Sequence, residues 1–339
     1  MWHESSKNST KSVSSHSLPL AAIGWLTVLP TSLHFRSPVM NLPMNLLTVF
    51  VGPAVAAALS WLLLRFLTKS TKYAWALAIA IGYVCGHMSF NAWNSVGPDS
   101  AGGIMAWANA LPAALSGIMW PRTAVDWLPI GALLAGLVSV NAAAFGASRT
   151  IAYCGAAFVT TFVVSQCLRT AGILEFQTFT GQMGIKLAAG VLGVLGCWLS
   201  LNHSIQGRSR WAWIGSVSIL TIAVILVLRL SGNLQFATLA SIVFCAMLGA
   251  LLVSLSGCGT DNVRCSGAAI AASSIGLLMM GWWVSAMPWY PVAILVVGYV
   301  TVSFTPPLPI GTMMTRRLVT SVTCAVAAVV VTALLGTTS

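Results

Sequence analysis

Residues 73–94 read Tyr-Ala-Trp-Ala-Leu-Ala-Ile-Ala-Ile-Gly-Tyr-Val-Cys-Gly-His-Met-Ser-Phe-Asn-Ala-Trp-Asn, and this stretch decides the fold. It is apolar over enough residues to cross a bilayer, whose hydrocarbon core takes about 20 residues of helix. Its polar groups are ordered. Tyr83, His87 and Asn91 recur at i, i+4 and i+8, with Asn94 three residues further on. That spacing places them along one face of an α-helix. A segment in lipid must satisfy its own backbone hydrogen bonds, so it is a helix or part of a closed barrel. The period-two alternation of a barrel strand is absent, which leaves the helix.

The rest of the chain repeats the apolar theme. Of 339 residues, 58% are hydrophobic and only 6% charged, and the mean hydropathy is +0.89. Soluble domains carry about a quarter charged residues, so a soluble core does not account for these values. Apolar runs at 44–66, 73–93, 127–146, 150–168, 184–202, 211–230, 236–256, 266–286, 290–304 and 318–336 predict ten transmembrane helices. The expected fold class is all-α: a polytopic transmembrane helix bundle of about ten spans plus one re-entrant or interfacial segment. Residues 40–339 form its single domain. Residues 1–18 hold seven serines and two lysines and read as a disordered tail. No secretory signal is arranged there, and residues 1–39 are expected to be a dispensable extension ahead of Met40.

The eleventh apolar segment, 102–119, contains Asn109, Pro112 and Ser116, and charge counting places it. If it does not span, nine basic residues (Arg65, Lys69, Lys72, Arg149, Arg208, Arg210, Arg264, Arg316, Arg317) fall inside. Four (Arg122, Arg169, Lys186, Arg229) then fall outside. If it spans, the division becomes seven to six. The first arrangement obeys the positive-inside rule, so 102–119 is read as re-entrant or interfacial, with both termini outside. The same rule explains the net charge of +11. The basic residues sit at helix ends without interleaved aromatics, which argues against a nucleic-acid partner. The partner implied is the lipid bilayer of a cell inner membrane.

Tryptophans 75, 93, 127, 211, 213, 282, 283 and 289 lie near predicted helix ends, as an aromatic belt requires. Gly82 with Gly86, and Gly190 with Gly193 and Gly196, suit close helix contact. Residues 127–136 (Trp-Leu-Pro-Ile-Gly-Ala-Leu-Leu-Ala-Gly) match residues 289–298 at an offset of 162. Trp120 pairs with Trp282 at the same offset. As the third and ninth spans, the two stretches do not divide the chain into halves, as a transporter repeat would.

The candidate polar path is Tyr83, His87, Asn91 and Asn94. Polar groups inside spans are costly and face the bundle interior or water, and histidine is the side chain that changes charge near neutral pH. The plainer alternative is interhelical hydrogen bonding. The acids Glu4, Asp99, Asp126, Glu175 and Asp261 all fall outside the predicted spans. Carboxylate-coupled antiport is therefore not expected, whereas a histidine relay stays open. Asp126, beside Trp127, reads as the start of a helix. Spacings among His87, Asp99, Asp126 and Glu175 match no metal motif. Phosphate-loop, dinucleotide, nucleophile-elbow and zinc-protease motifs are absent, so no catalytic, cofactor or metal residues are predicted. Cys85, Cys154, Cys167, Cys197, Cys245 and Cys324 fall within helices as small apolar residues. Cys258 and Cys265 bracket a loop on the predicted inner side, where thiols stay reduced. Arg169, Lys186 and Arg229 are explained by snorkelling.

Three pieces carry a resemblance: Ala-Ile-Gly82-Tyr-Val-Cys-Gly-His87, Val-Asp-Trp127-Leu-Pro and Ala-Met-Pro288-Trp-Tyr-Pro291. Together they resemble an uncharacterised family of multi-pass membrane proteins from planctomycete bacteria. The chain departs from that pattern in its longer, apolar linker, with Pro112 and Pro121 in place of a dense proline run. No activity or site residue comes with the resemblance. The residues lead to a transporter- or permease-like protein for a small neutral or lipidic solute. The alternative is a non-catalytic membrane subunit that scaffolds a membrane-protein partner. An enzyme acting on lipid ranks third, because acid–base candidates are few.

Overall fold

The computed structural model describes residues 50–68, 74–96, 103–144, 149–174, 180–204, 210–255, 266–285, 287–302 and 313–336. Residues 1–39, Asp99, Glu175, Asp261 and the Cys258–Cys265 loop lie outside the described residues. Among those described there is no strand. The helices are α1 (Gly52–Thr68), α2 (Ala74–Val96), α3 (Gly103–Met119), α4 (Trp127–Ala144), α5 (Arg149–Thr170) and α6 (Gly181–Ser204). They continue with α7 (Arg210–Leu230), α8 (Leu234–Leu255), α9 (Ser266–Val284), α10 (Trp289–Thr301) and α11 (Met313–Gly336).

Seven stretches are long and apolar enough to cross a membrane, in α4 to α9 and α11. They define an all-helical, membrane-embedded protein. Helices α1, α3 and α10 are apolar but shorter. Helix α2 is long at 23 residues, yet it is not among the seven, because His87, Asn91 and Asn94 offset its alanines and isoleucines. Its side chains face protein along most of its length, so low hydropathy here accompanies an inner position.

Helix α9 is the centre of the bundle, packed against α2, α4, α6, α8 and α10. Its first half is Ser-Gly-Ala-Ala-Ile-Ala-Ala-Ser-Ser-Ile-Gly, and small side chains let neighbouring backbones approach closely. A π-turn at Ala271–Ile275 interrupts it. The Gly82–Gly86 pair works the same way. A Cβ on Gly82 would lie 2.8 Å from Ala57 and 2.9 Å from Ala246. One on Gly86 would collide with Ile242 and Pro53, so α2 is wedged between α1 and α8. Gly190 and Gly193 meet Trp283 and Met279 of α9 in the same manner, but Gly196 faces open space and takes no part.

The aromatic belt is only partly as expected. Trp211 and Trp289 are exposed at helix starts, whereas Trp75, Trp93, Trp213 and Trp283 are buried. The offset match also divides. Residues 127 and 289 both open helices with proline at the third position, but Trp120 lies in a bend while Trp282 is inside α9. Segment 103–119 is one unbroken helix with Pro112 inside it, and of its residues only Ala114 and Ile118 are buried. At 17 residues it is about 26 Å long, short of the roughly 30 Å hydrocarbon core.

Candidate functional site

Helix α2 presents its polar face to the start of α4. Thr123 opens a short 3₁₀ turn, Ala124–Asp126, that runs directly into α4. As the third residue of that turn, Asp126 reaches back. Its Oδ2 accepts from the Thr123 backbone N–H at 3.0 Å and from the Thr123 hydroxyl at 2.8 Å. This is the helix-start role read from the sequence, and it fixes the carboxylate's position.

The other carboxylate oxygen faces α2. Asp126 Oδ1 lies 3.4 Å from His87 Nε2 and accepts from Asn91 Nδ2 at 3.4 Å. His87 is 1% exposed and Asp126 9%. An ionised carboxylate offers about four lone-pair directions, and here four donor groups meet them. A buried charge is tolerated when it is paired and hydrogen-bonded in this way. Because Nε2 faces the carboxylate, the tautomer that fits carries its proton there, and Nδ1 is left with a lone pair. Among the described residues neither Nδ1 nor the buried Tyr83 hydroxyl has a partner. The Tyr83 and His87 rings meet edge-on, with centroids 6.0 Å apart.

Neighbouring helices brace the site. Cys167 Sγ of α5 donates to the Ala124 carbonyl at 3.3 Å, and Trp107 Nε1 of α3 donates to the Ser89 carbonyl of α2 at 3.2 Å. Two of the four expected path residues, His87 and Asn91, therefore converge on one acid, with the Tyr83 ring edge-on to His87. Asn94 is exposed and stands apart. The sequence reading set His87 beside Asp126 only within a four-residue outer-face group that it discounted, and did not pair them. They are 39 residues apart and share no periodicity, so only the packing of α2 on α4 brings them together.

The arrangement can hold a proton on Nε2 against a fixed carboxylate while Nδ1 accepts a hydrogen bond. Among the described residues, no three His, Cys, Asp or Glu side chains gather to hold a metal. Fold and site define the class: a helical membrane protein with a buried histidine–aspartate pair joining two of its helices. Comparison with known proteins adds no narrower identity, since no family model, curated protein or solved structure matches the chain.

Proposed function

We propose that the chain is a permease-like protein of a bacterial inner membrane that carries a small neutral or lipidic solute. In this reading it crosses the membrane about ten times, with α1, α2 and α10 added to the seven long apolar helices. The supporting observation is the pair of unpartnered polar atoms, Tyr83 OH and His87 Nδ1, beside a fully engaged Asp126. Each buried polar atom left bare costs about 1–3 kcal/mol. An oxygen- or nitrogen-bearing solute recovers that cost as it passes. Ionisable groups buried inside a membrane helix bundle are candidates for solute or proton paths.

A second reading, a non-catalytic subunit, is favoured by α3. It exposes Ile104, Met105, Leu115 and Met119, with Trp120 immediately after them, to whatever surrounds the bundle. One experiment separates the two. The full chain is purified in mild detergent from native membranes, and co-purifying proteins and small molecules are identified by mass spectrometry. The permease reading expects a lone protein carrying a solute that His87→Ala and Asn91→Ala lose at unchanged expression. A stoichiometric protein partner, with both variants indistinguishable from the parent, would replace it with the subunit reading.

A further inference from the structure

Arg317 is a buried charge without a counter-charge among the described residues. It sits on the second turn of α11, is 3% exposed, and its Nε has no partner there. Arg65, at the end of α1, shows the ordinary solution. It is half-buried, and its guanidinium lies 5.6 Å from the centre of the Trp61 ring. Asp126 is the one acid among the described residues, and Thr123, His87 and Asn91 occupy its oxygens. A buried charge is tolerated when it is paired, so this cation calls for an anion.

Its place on the helix points the same way. A helix N-terminus carries partial positive charge, so a cation there gains nothing from the helix. Helical side chains lean toward the N-terminus. That carries the long Arg317 side chain toward the first turn, whose backbone N–H groups lack partners within the helix. Two such ends lie side by side. Gly215 is the sixth residue of α7 and Leu318 the sixth of α11, and a Cβ on Gly215 would lie 3.1 Å from Leu318 Cδ2. Further along, Leu220 and Cys324 both meet Gly298. Helices α7 and α11 therefore start level and run the same way, and their positive ends add to Arg317. The histidine–aspartate pair stands at the other end of the bundle. Trp283, late in α9, shares a cavity wall with Leu128 at the start of α4, and α10 leads away from that end to α11.

We infer that the paired starts of α7 and α11 form a seat for a phosphate oxyanion, held by Arg317 and supplied by the headgroup of an anionic phospholipid. A guanidinium presents a planar fork of donors that matches two phosphate oxygens, and helix N-termini favour such anions. Lipid is the source because Arg317 falls inside the membrane-length stretch Thr315–Leu335, which an acyl-anchored headgroup reaches from the side. The count of basic residues assigns this end to the inner leaflet, where basic pockets between membrane helices take anionic headgroups. No residue of the polar site takes part, so the inference stands apart from solute carriage.

The test uses the full chain, stripped of lipid by extended washing in dodecyl maltoside, which carries no phosphate. Phosphatidylglycerol, diacylglycerol with the same chains, or inorganic phosphate is then added. Bound lipid is read by native mass spectrometry and stability by thermal melting. Phosphatidylglycerol should bind and raise the melting midpoint, and diacylglycerol should do neither. Arg317→Gln should weaken that binding by about tenfold or more, as loss of a hydrogen bond to a charged group does. Arg65→Gln removes a charge from the same end and should bind as the parent does. Without added lipid, Arg317→Gln should melt no lower than the parent, because it removes an unpaired buried charge. A lower midpoint there would mean that the chain itself pairs Arg317, through Asp261 or another group outside the described residues, and would overturn the inference. Undiminished phosphatidylglycerol binding by Arg317→Gln, or equal stabilisation by diacylglycerol, would overturn it too. Stabilisation of the parent but not of Arg317→Gln by inorganic phosphate alone would keep the seat and move its source from lipid to solution.

Discussion

Helices α9 and α11 are both long enough to cross a membrane, yet the less apolar of the two is by far the more buried. The best window of α9 has a mean hydropathy of 1.5 and is 83% buried; that of α11 has 2.4 and is 22% buried. Each follows from what its side chains meet. Helix α9 meets other helices along nearly all of its surface, and its first half is built largely of Gly, Ala and Ser. Ser273 hides its hydroxyl by donating to the Ala269 carbonyl at 2.7 Å. Helix α11 meets protein along one stripe, Arg317, Ser321, Ala325, Ala328 and Thr332, and turns Val319, Val322, Val326, Val330 and Leu334 outward. Between helices there is no hydrophobic driving force in lipid, only close packing and hydrogen bonds. Hydropathy in this chain therefore reports what faces acyl chains, and residue size reports what faces protein.

The largest effect expected from this contrast comes from enlarging a small residue of α9. A Cβ on Gly267 would sit 2.5 Å from Leu201 Cβ and 3.1 Å from the Asn202 backbone nitrogen, neither of which can swing aside. Gly267→Leu adds three further carbons to that collision. Overpacking in a filled core costs about 1–3 kcal/mol and sometimes more, and this substitution belongs at or above the upper end. The expected result is loss of monodisperse protein on size-exclusion chromatography after detergent extraction. Recovery of the variant in parental yield and with parental melting behaviour would mean that α9 and α6 are not in close contact.

That contrast also marks what the sequence could disclose. Apart from Ser285 and Val302 at two ends, each described part of the eleven apolar stretches is helical, because length and hydropathy record the lipid requirement directly. The tight contacts of Gly82, Gly86, Gly190 and Gly193 were legible too, since a missing side chain in an apolar helix has few other uses. Relations between distant helices were not legible. Asp126 was correctly placed at a helix start, but its second partner comes from α2, and nothing local to residue 126 specifies which neighbour packs there. The π-turn has no sequence mark, for Ala-Ala-Ser-Ser-Ile would serve equally in a regular helix. Arg317 was counted simply as an inner-side charge, yet it is buried, and among the described residues its Nε has no partner.

A smaller effect tests whether inner faces depend on hydrogen bonds as well as on size. The hydroxyls of Thr221 on α7 and Tyr299 on α10 lie 2.9 Å apart, both buried. Thr221 also donates to the Val217 carbonyl at 2.8 Å, so Tyr299 is positioned as the donor to Thr221. Tyr299→Phe removes that donor and leaves Thr221 satisfied within its own helix. Hydrogen bonds between membrane helices average about 0.6 kcal/mol and reach about 1.7. A loss of about 1 kcal/mol is expected, read as a lowered midpoint in reversible detergent-induced unfolding. No change at all would assign the joining of α7 and α10 to packing alone, including the fit of Gly298 against Leu220 and Cys324.

The smallest effect is expected on the outward side of α11, and it tests the lipid half of the comparison. Val326 is exposed there, one residue beyond the buried Ala325. If acyl chains are its only neighbours, Val326→Leu exchanges one apolar surface for another. The change should then stay within about 0.5 kcal/mol, the usual range for substitutions away from packed contacts. The midpoint of the same unfolding assay should not move. A drop of more than about 1 kcal/mol is the size seen when a filled core is overpacked, and lipid cannot impose it. Such a drop would mean that another polypeptide lies along α11, and the high hydropathy of that helix would then mark a docking face. The same result would favour the scaffold reading over the permease, because a carrier needs no partner on its outer wall, whereas a subunit is defined by one.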